Sequence, residues 1–203
     1  MFADKLKRGL DELRARDPNC QKFAASTHRY QLNPVLKPDE VAAFEADHGI
    51  RLPEDYKEFL LTVGNGGVGP YYGIYPLLEA ALDQRWAERK RIDLSSPFPH
   101  SAAWDEPWLD TINWDAGERP DDDALFAYLD PAHIPGALCV SQVGCGDFVL
   151  LVVNGAERGN IWFDGRGNYS GIFPEQAAGG TARISFSEWY LAWLDARIKG
   201  TDF

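Results

Sequence analysis

Leu52–Pro76, LPEDYKEFLLTVGNGGVGPYYGIYP, joins a helix to a glycine-dense turn and then to an aromatic stretch. Pro53 suits the first helical position, where its missing N–H costs nothing, and Glu54 and Asp55 place negative charge at the positive end of the helix dipole. Tyr56, Phe59, Leu60 and Val63 then recur at helical spacing, giving one apolar face, while Lys57, Glu58 and Thr62 turn away. Gly64 stops the helix, and Asn65, Gly66, Gly67 and Gly69 demand a sharp backbone turn before Tyr71–Tyr75, which is expected to run extended. Gly64–Gly69 also matches G-x-G-x-x-G. Dinucleotide binding needs a strand before those glycines and a helix after them, so that the helix start faces phosphate. Here a helix precedes and Pro70 follows, and the cofactor reading is rejected.

The same stretch, Leu-Pro-x-x-Tyr followed by Gly-Asn-Gly-Gly-x-Gly-Pro-Tyr-Tyr-Gly, resembles the hallmark of the SUKH superfamily, which includes fungal cell-wall assembly regulators and bacterial toxin-immunity proteins. Further pieces agree in order. Tyr30–Pro34 and Glu45…Gly49-Ile50 are similar to the family's lead-in, Val143–Asp147 and Gly159–Trp162 to its later strands, and Ser185-Phe186-x-x-Trp189 to its closing helix. The resemblance runs from about residue 30 to about 195, with an unmatched middle. It implies a non-catalytic domain in which Leu52, Pro53, Tyr56, Gly64, Asn65, Gly66, Gly67, Gly69 and Gly73 serve the fold. It also implies a function: binding and neutralising a toxin domain, with a regulatory or scaffold module as the alternative. The fungal members look longer, with disordered flanks that this chain does not show, which favours immunity.

Composition sets the outer limits. At 203 residues and 45% apolar content the chain suits one globular domain, burying roughly 70% of the surface of its unfolded form. No run approaches the ~20 apolar residues of a membrane span. Met1–Asp17 is charged throughout and reads as a helix with Phe2, Leu6, Leu10 and Leu13 on one face, not as a secretory signal, so a cytoplasmic location is expected. Cys20, Cys139 and Cys145 show neither disulfide nor zinc spacing. The net charge of −11 disfavours nucleic acid and favours a basic protein partner; the family resemblance implies that this partner is a toxin, nucleases being among the toxins such proteins bind.

The remaining elements follow from local pattern. A helix is expected from Pro38 to Gly49, with Val41, Phe44 and His48 on one side, and another over Leu77–Ile92, mixing Leu78, Leu82 and Trp86 with Arg85, Arg89, Lys90 and Arg91. A short strand is expected around Tyr30–Leu32. Leu138–Val143, Phe148–Val153, Asn160–Phe163 and Tyr169–Phe173 read as antiparallel strands separated by glycine turns. Ser185 and Glu188 form a capping box on a closing helix that buries Phe186, Trp189, Tyr190, Trp193 and Leu194. The sum is a single α+β domain over 1–203: a mainly antiparallel sheet flanked by N-terminal helices and one C-terminal helix.

Chemistry is sparse. His28, His48, His100 and His133 have no ligand spacing, no nucleophile elbow is present, and neither metal nor cofactor is expected. Asp147 and Asp164 stand beside glycines at strand ends, where turn chemistry is the plainer explanation. The remaining candidate is a Pro-rich acidic insertion at about 93–135, with one short helix near Asp122–Leu129. There Trp104, Trp108 and Trp114 are interleaved with Asp105, Glu106, Asp110, Asp115, Asp121, Asp122 and Asp123. Two readings stand for it: a solvated loop tethered by its tryptophans, or a partner surface in which rings anchor and carboxylates select a cationic face. Asp121 is expected to cap the short helix.

Overall fold

The computed structural model describes residues 2–177, 180–201 and 203. Its centre is an antiparallel meander of four strands in the order of the chain: β1 (Ala137–Gly144), β2 (Asp147–Val152), β3 (Ile161–Asp164) and β4 (Ile172–Pro174). Phe148–Val152 is buried at every position, as an inner strand covered on both faces must be. The β1–β2 turn is tight, with Gly144, Cys145 and Gly146 all at positive φ. The fourth strand is shorter than the apolar run suggests. Tyr169 sits at φ 58 as the exit from a 3-10 turn over Arg166–Asn168, so pairing begins only at Ile172.

The glycine turn closes the free edge of β1. Single bridges run Ser141 to Ile74, Ile74 to Gly67 and Gly67 to Leu32, so the sheet continues as a ladder of one-residue steps. Gly67 lies at φ 105, and a Cβ there would come within 2.5 Å of the Gln31 carbonyl oxygen. Only a glycine lets the backbone pass between two neighbours so closely. The expectation of an extended Tyr71–Tyr75 is corrected: Tyr71 and Gly73 are left-handed, and Ile74 alone pairs. Likewise the strand expected at Tyr30–Leu32 reduces to the Leu32 bridge, with Tyr30 at φ 55. Asn65 has a distinct task, its Oδ1 accepting the Leu77 N–H at 2.8 Å.

Helices cover the sheet much as their periodicity predicts. They are α1 (Phe2–Arg16), the short α2 (Ala25–His28), α3 (Pro38–His48), α4 (Glu54–Thr62), α5 (Leu77–Ala80), α6 (Asp122–Tyr128) and α7 (Phe186–Lys199). Met1 lies outside the described residues. Pro53 stands one residue before its helix instead of inside it. Leu6, Leu10 and Leu13 of α1 are buried, and Gly9 lets α1 approach Leu194 of α7 so closely that a Cβ would sit 2.4 Å from its Cδ2. The capping box of α7 is formed: Ser185 Oγ accepts from Glu188 N–H, and Ser185 N–H donates to the Glu188 carboxylate at 2.8 Å. All five expected apolar residues of α7 are buried, and the Tyr190 hydroxyl donates to the Val68 carbonyl, fastening this helix to the glycine turn.

The helix expected over Leu77–Ile92 is a second correction. It stops after Ala80; the chain then folds back on itself, with Leu82 bridging Arg91 and Asp83 N–H donating to the Lys90 carbonyl at 2.8 Å. The long-range ion pair of Arg85 with Asp164 overrides the helical pattern here.

Replacing Gly67 by Ala is expected to lower stability by about 2 kcal/mol, from left-handed strain plus the close contact. Denaturant titration checks this: the midpoint should fall with the slope unchanged, and coincident midpoints would contradict the ladder's dependence on glycine.

Candidate partner-binding surface

The acidic segment is held in place by a group of charges that the sequence does not announce. Asp164, at the end of β3, is 0% exposed. Arg166 binds it through two parallel contacts, Nε to Oδ1 at 2.8 Å and Nη2 to Oδ2 at 2.8 Å, and Arg85 adds Nη2 to Oδ2 at 2.6 Å. The remaining nitrogen of Arg166, Nη1, donates to the carbonyls of Tyr128 at 2.7 Å and Asp130 at 3.0 Å. Three chain segments far apart in sequence meet at one carboxylate. Burial alone would raise the Asp164 carboxyl, but the hydrogen bonds and charges of Arg166 and then Arg85 outweigh it and hold the group below the ordinary carboxylate range. Asp83 and Asp147 differ: burial pushes both above that range, with Arg85 only partly offsetting it for Asp83 and the Asn168 amide for Asp147. Asp147 and Asp164 are thus buried side chains, not the exposed turn residues their glycine neighbours suggest.

Four of the ten expected surface residues have structural work. The main chain of Trp104 exchanges two hydrogen bonds with Ile172, at 2.8 and 2.7 Å, extending the sheet one step beyond β4. Its half-buried ring stacks on His133 at 4.6 Å and faces His100 and Tyr128. Asp105 accepts the Tyr128 hydroxyl at 2.6 Å, which together with burial pushes the tyrosine well above its ordinary pKa. Trp108 meets Tyr128 edge to face, and Asp121 caps α6 by accepting the Ala124 N–H at 2.8 Å. Glu106 is half-buried at the entry to a 3-10 turn over Pro107–Thr111. Asp110, Asp115, Asp122 and Asp123 are exposed and have no intramolecular partner among the described residues. Trp114 is 38% exposed, resting on Tyr169 with Arg119 above it.

A further aromatic pair joins the acidic segment to the turn after α5. Phe126, on α6 and 54% exposed, packs against Trp86 at 5.4 Å, and the two rings overlook a cavity of about 470 Å³ bordered by Glu88, Lys90 and Asp130.

The histidines are all engaged. His28 Nδ1 accepts from Tyr30 N–H, and burial followed by the nearby Arg197 lowers its pKa to about 4. His48, His100 and His133 hydrogen-bond to the carbonyls of Phe44, His133 and Ala127. Burial pushes the Cys139 thiol up, and Cys145 is exposed in its turn. Among the described residues no group of three or more His, Cys, Asp or Glu side chains is placed to share a metal ion.

Comparison with known proteins gives one family: the model described as SMI1 / KNR4 family (SUKH-1) matches residues 36–176. That span holds the glycine turn, the acidic segment and all four strands. No curated protein and no solved structure matches significantly.

Arg166→Met should cost about 4 kcal/mol near neutral pH, because it leaves a buried carboxylate short of its main partner. Asp164 has a depressed pKa, so its stabilisation is present above the ordinary carboxylate range and is lost as pH falls through its native value. The gap between variant and wild type, read by denaturation across pH, should therefore narrow in acid. A gap that is small and independent of pH would contradict the assignment.

Proposed function

We propose, for a chain that belongs to the SMI1/KNR4 (SUKH-1) family, that it works in the cytoplasm as an immunity protein, binding a basic toxin domain and neutralising it by occlusion without chemistry of its own. The family covers both immunity proteins and regulators of the KNR4 type, and its members act through protein–protein interaction. No helix among the described residues is long and apolar enough to cross a membrane.

The observation that carries the reading is the set of uncommitted carboxylates. Asp110, Asp115, Asp122 and Asp123 are fixed to a segment pinned at Arg166, yet none is used within the fold. On a chain of net charge −11 they form part of a field that speeds encounter with a basic partner, while Phe126, Trp86 and Trp114 offer ring area for the docked state. A nuclease toxin, basic because it binds nucleic acid, has the complementary surface. A regulatory module of the same family would use the same physics on an endogenous partner, and the identity of the captured protein separates the two.

The test is co-purification from cells carrying the native locus, followed by association kinetics with the captured domain. The association rate should fall steeply with added salt, and reversal of both Asp122 and Asp123 to Lys should slow it roughly tenfold at low salt. A rate indifferent to both changes would remove this surface as the steering element.

A further inference from the structure

A cavity of about 610 Å³ opens between the end of β4 and the flank of α7, with Tyr71, Glu175, Ile184, Trp189, Ala192 and Phe203 among its walls. It lies apart from the acidic segment, and no motif in the sequence marks it. Tyr71 and Phe203 tilt against each other with ring centroids 5.7 Å apart, and Trp189 is 1% exposed. Glu175 follows directly on β4, and its own N–H donates to the Ile161 carbonyl at 3.0 Å, so its main chain is held as a continuation of the strand. Glu188, already committed to the cap of α7, stands on the same wall.

Glu175 contrasts with three other half-buried or buried acids of this protein. Glu45 has Lys57, Glu157 has Arg183, and Asp164 has two arginines. Glu175 has no cation beside it among the described residues, and burial raises its carboxyl above the ordinary range. The fold itself twice shows what such an acid accommodates. Arg183 is gripped by Glu157 at 2.9 Å while lying over the Trp162 ring at 5.3 Å, and Arg85 is gripped by Asp164 while lying over the Phe148 ring at 5.0 Å. Carboxylate and ring together hold a planar guanidinium through a charge-assisted hydrogen bond and cation–π attraction. Glu175, with the half-buried Tyr71 ring beside it, offers the same combination at the cavity wall.

We propose that this cavity receives an arginine side chain of the partner protein, its guanidinium on Glu175 and its methylene stem along Ile184 and Ala192. The inference rests on the reading of the chain as a binder of a basic protein and adds a second contact point to it. Arginine is favoured over lysine because a compact ammonium neither stacks on rings nor engages a carboxylate through two parallel bonds.

The test uses N-acetyl-arginine N-methylamide as the probe, titrated into the whole protein and followed by amide NMR, with the lysine and leucine analogues as controls. The arginine analogue should shift the signals of Glu175, Trp189 and Ala192 and saturate in the millimolar range. The lysine analogue should bind more weakly and the leucine analogue not at all. Glu175→Gln keeps the size of the side chain and should weaken arginine binding about tenfold, the loss of one charge-assisted contact. Equal response to leucine, or an unchanged affinity in the Gln variant, would overturn the proposal, and the leucine control does so even if the variant fails to fold. Failure of this small probe counts against the cavity alone. Failure of the acidic face to steer a basic partner counts against the reading beneath it.

Discussion

A carboxylate removed from water is tolerated only when its charge is met, and the placement of the acidic segment follows from how Asp164 is met. Desolvating an ion of this kind costs several kcal/mol, and one guanidinium at good geometry barely offsets it. Here two arginines converge from different parts of the chain, and the second function of Arg166 is to hold the carbonyls of Tyr128 and Asp130. The turn that carries Arg85, the end of β3 and the helix of the acidic segment therefore share one solution. Apolar residues in place of the cluster would remove its desolvation cost, but would not specify the same three-way junction. Trp86 and Phe126 stand side by side because their segments are fastened on either side of it.

The sheet edges impose the second constraint. An unpaired edge invites association with other strands. The glycine turn covers the β1 edge by single bridges, and Trp104 covers the β4 edge through its main chain. Having spent Trp104, Trp108 and Asp105 on that attachment, the acidic segment turns its remaining carboxylates outward. Within this stretch the tethering residues and the outward carboxylates are thus different residues.

What could be read in advance was whatever is encoded locally. The apolar period of α1, the Ser185–Glu188 cap of α7, the glycine stop after α4 and the continuous run of β2 each contain their own evidence within a few residues. What could not be read depended on distant partners. Arg85 lies 79 positions from Asp164, and nothing near it forecasts an ion pair strong enough to unmake a helix. The same holds for Trp104, whose partner Ile172 is equally remote, and for Glu175, which becomes notable only once its neighbours prove to include no cation. The candidate surface was accordingly legible as a region and not as a list of residues.

The central claim is that an acidic, ring-bearing face pinned by Asp164 and Arg166 covers a basic partner. Amide hydrogen exchange, compared between the protein alone and saturated with the domain that co-purifies with it, tests this most directly. Protection gained on binding should concentrate in 84–90 and 105–130, with the partner's activity lost in proportion to complex formed. Protection confined to the α1–α3 side, or a partner that remains active when fully bound, would contradict the account.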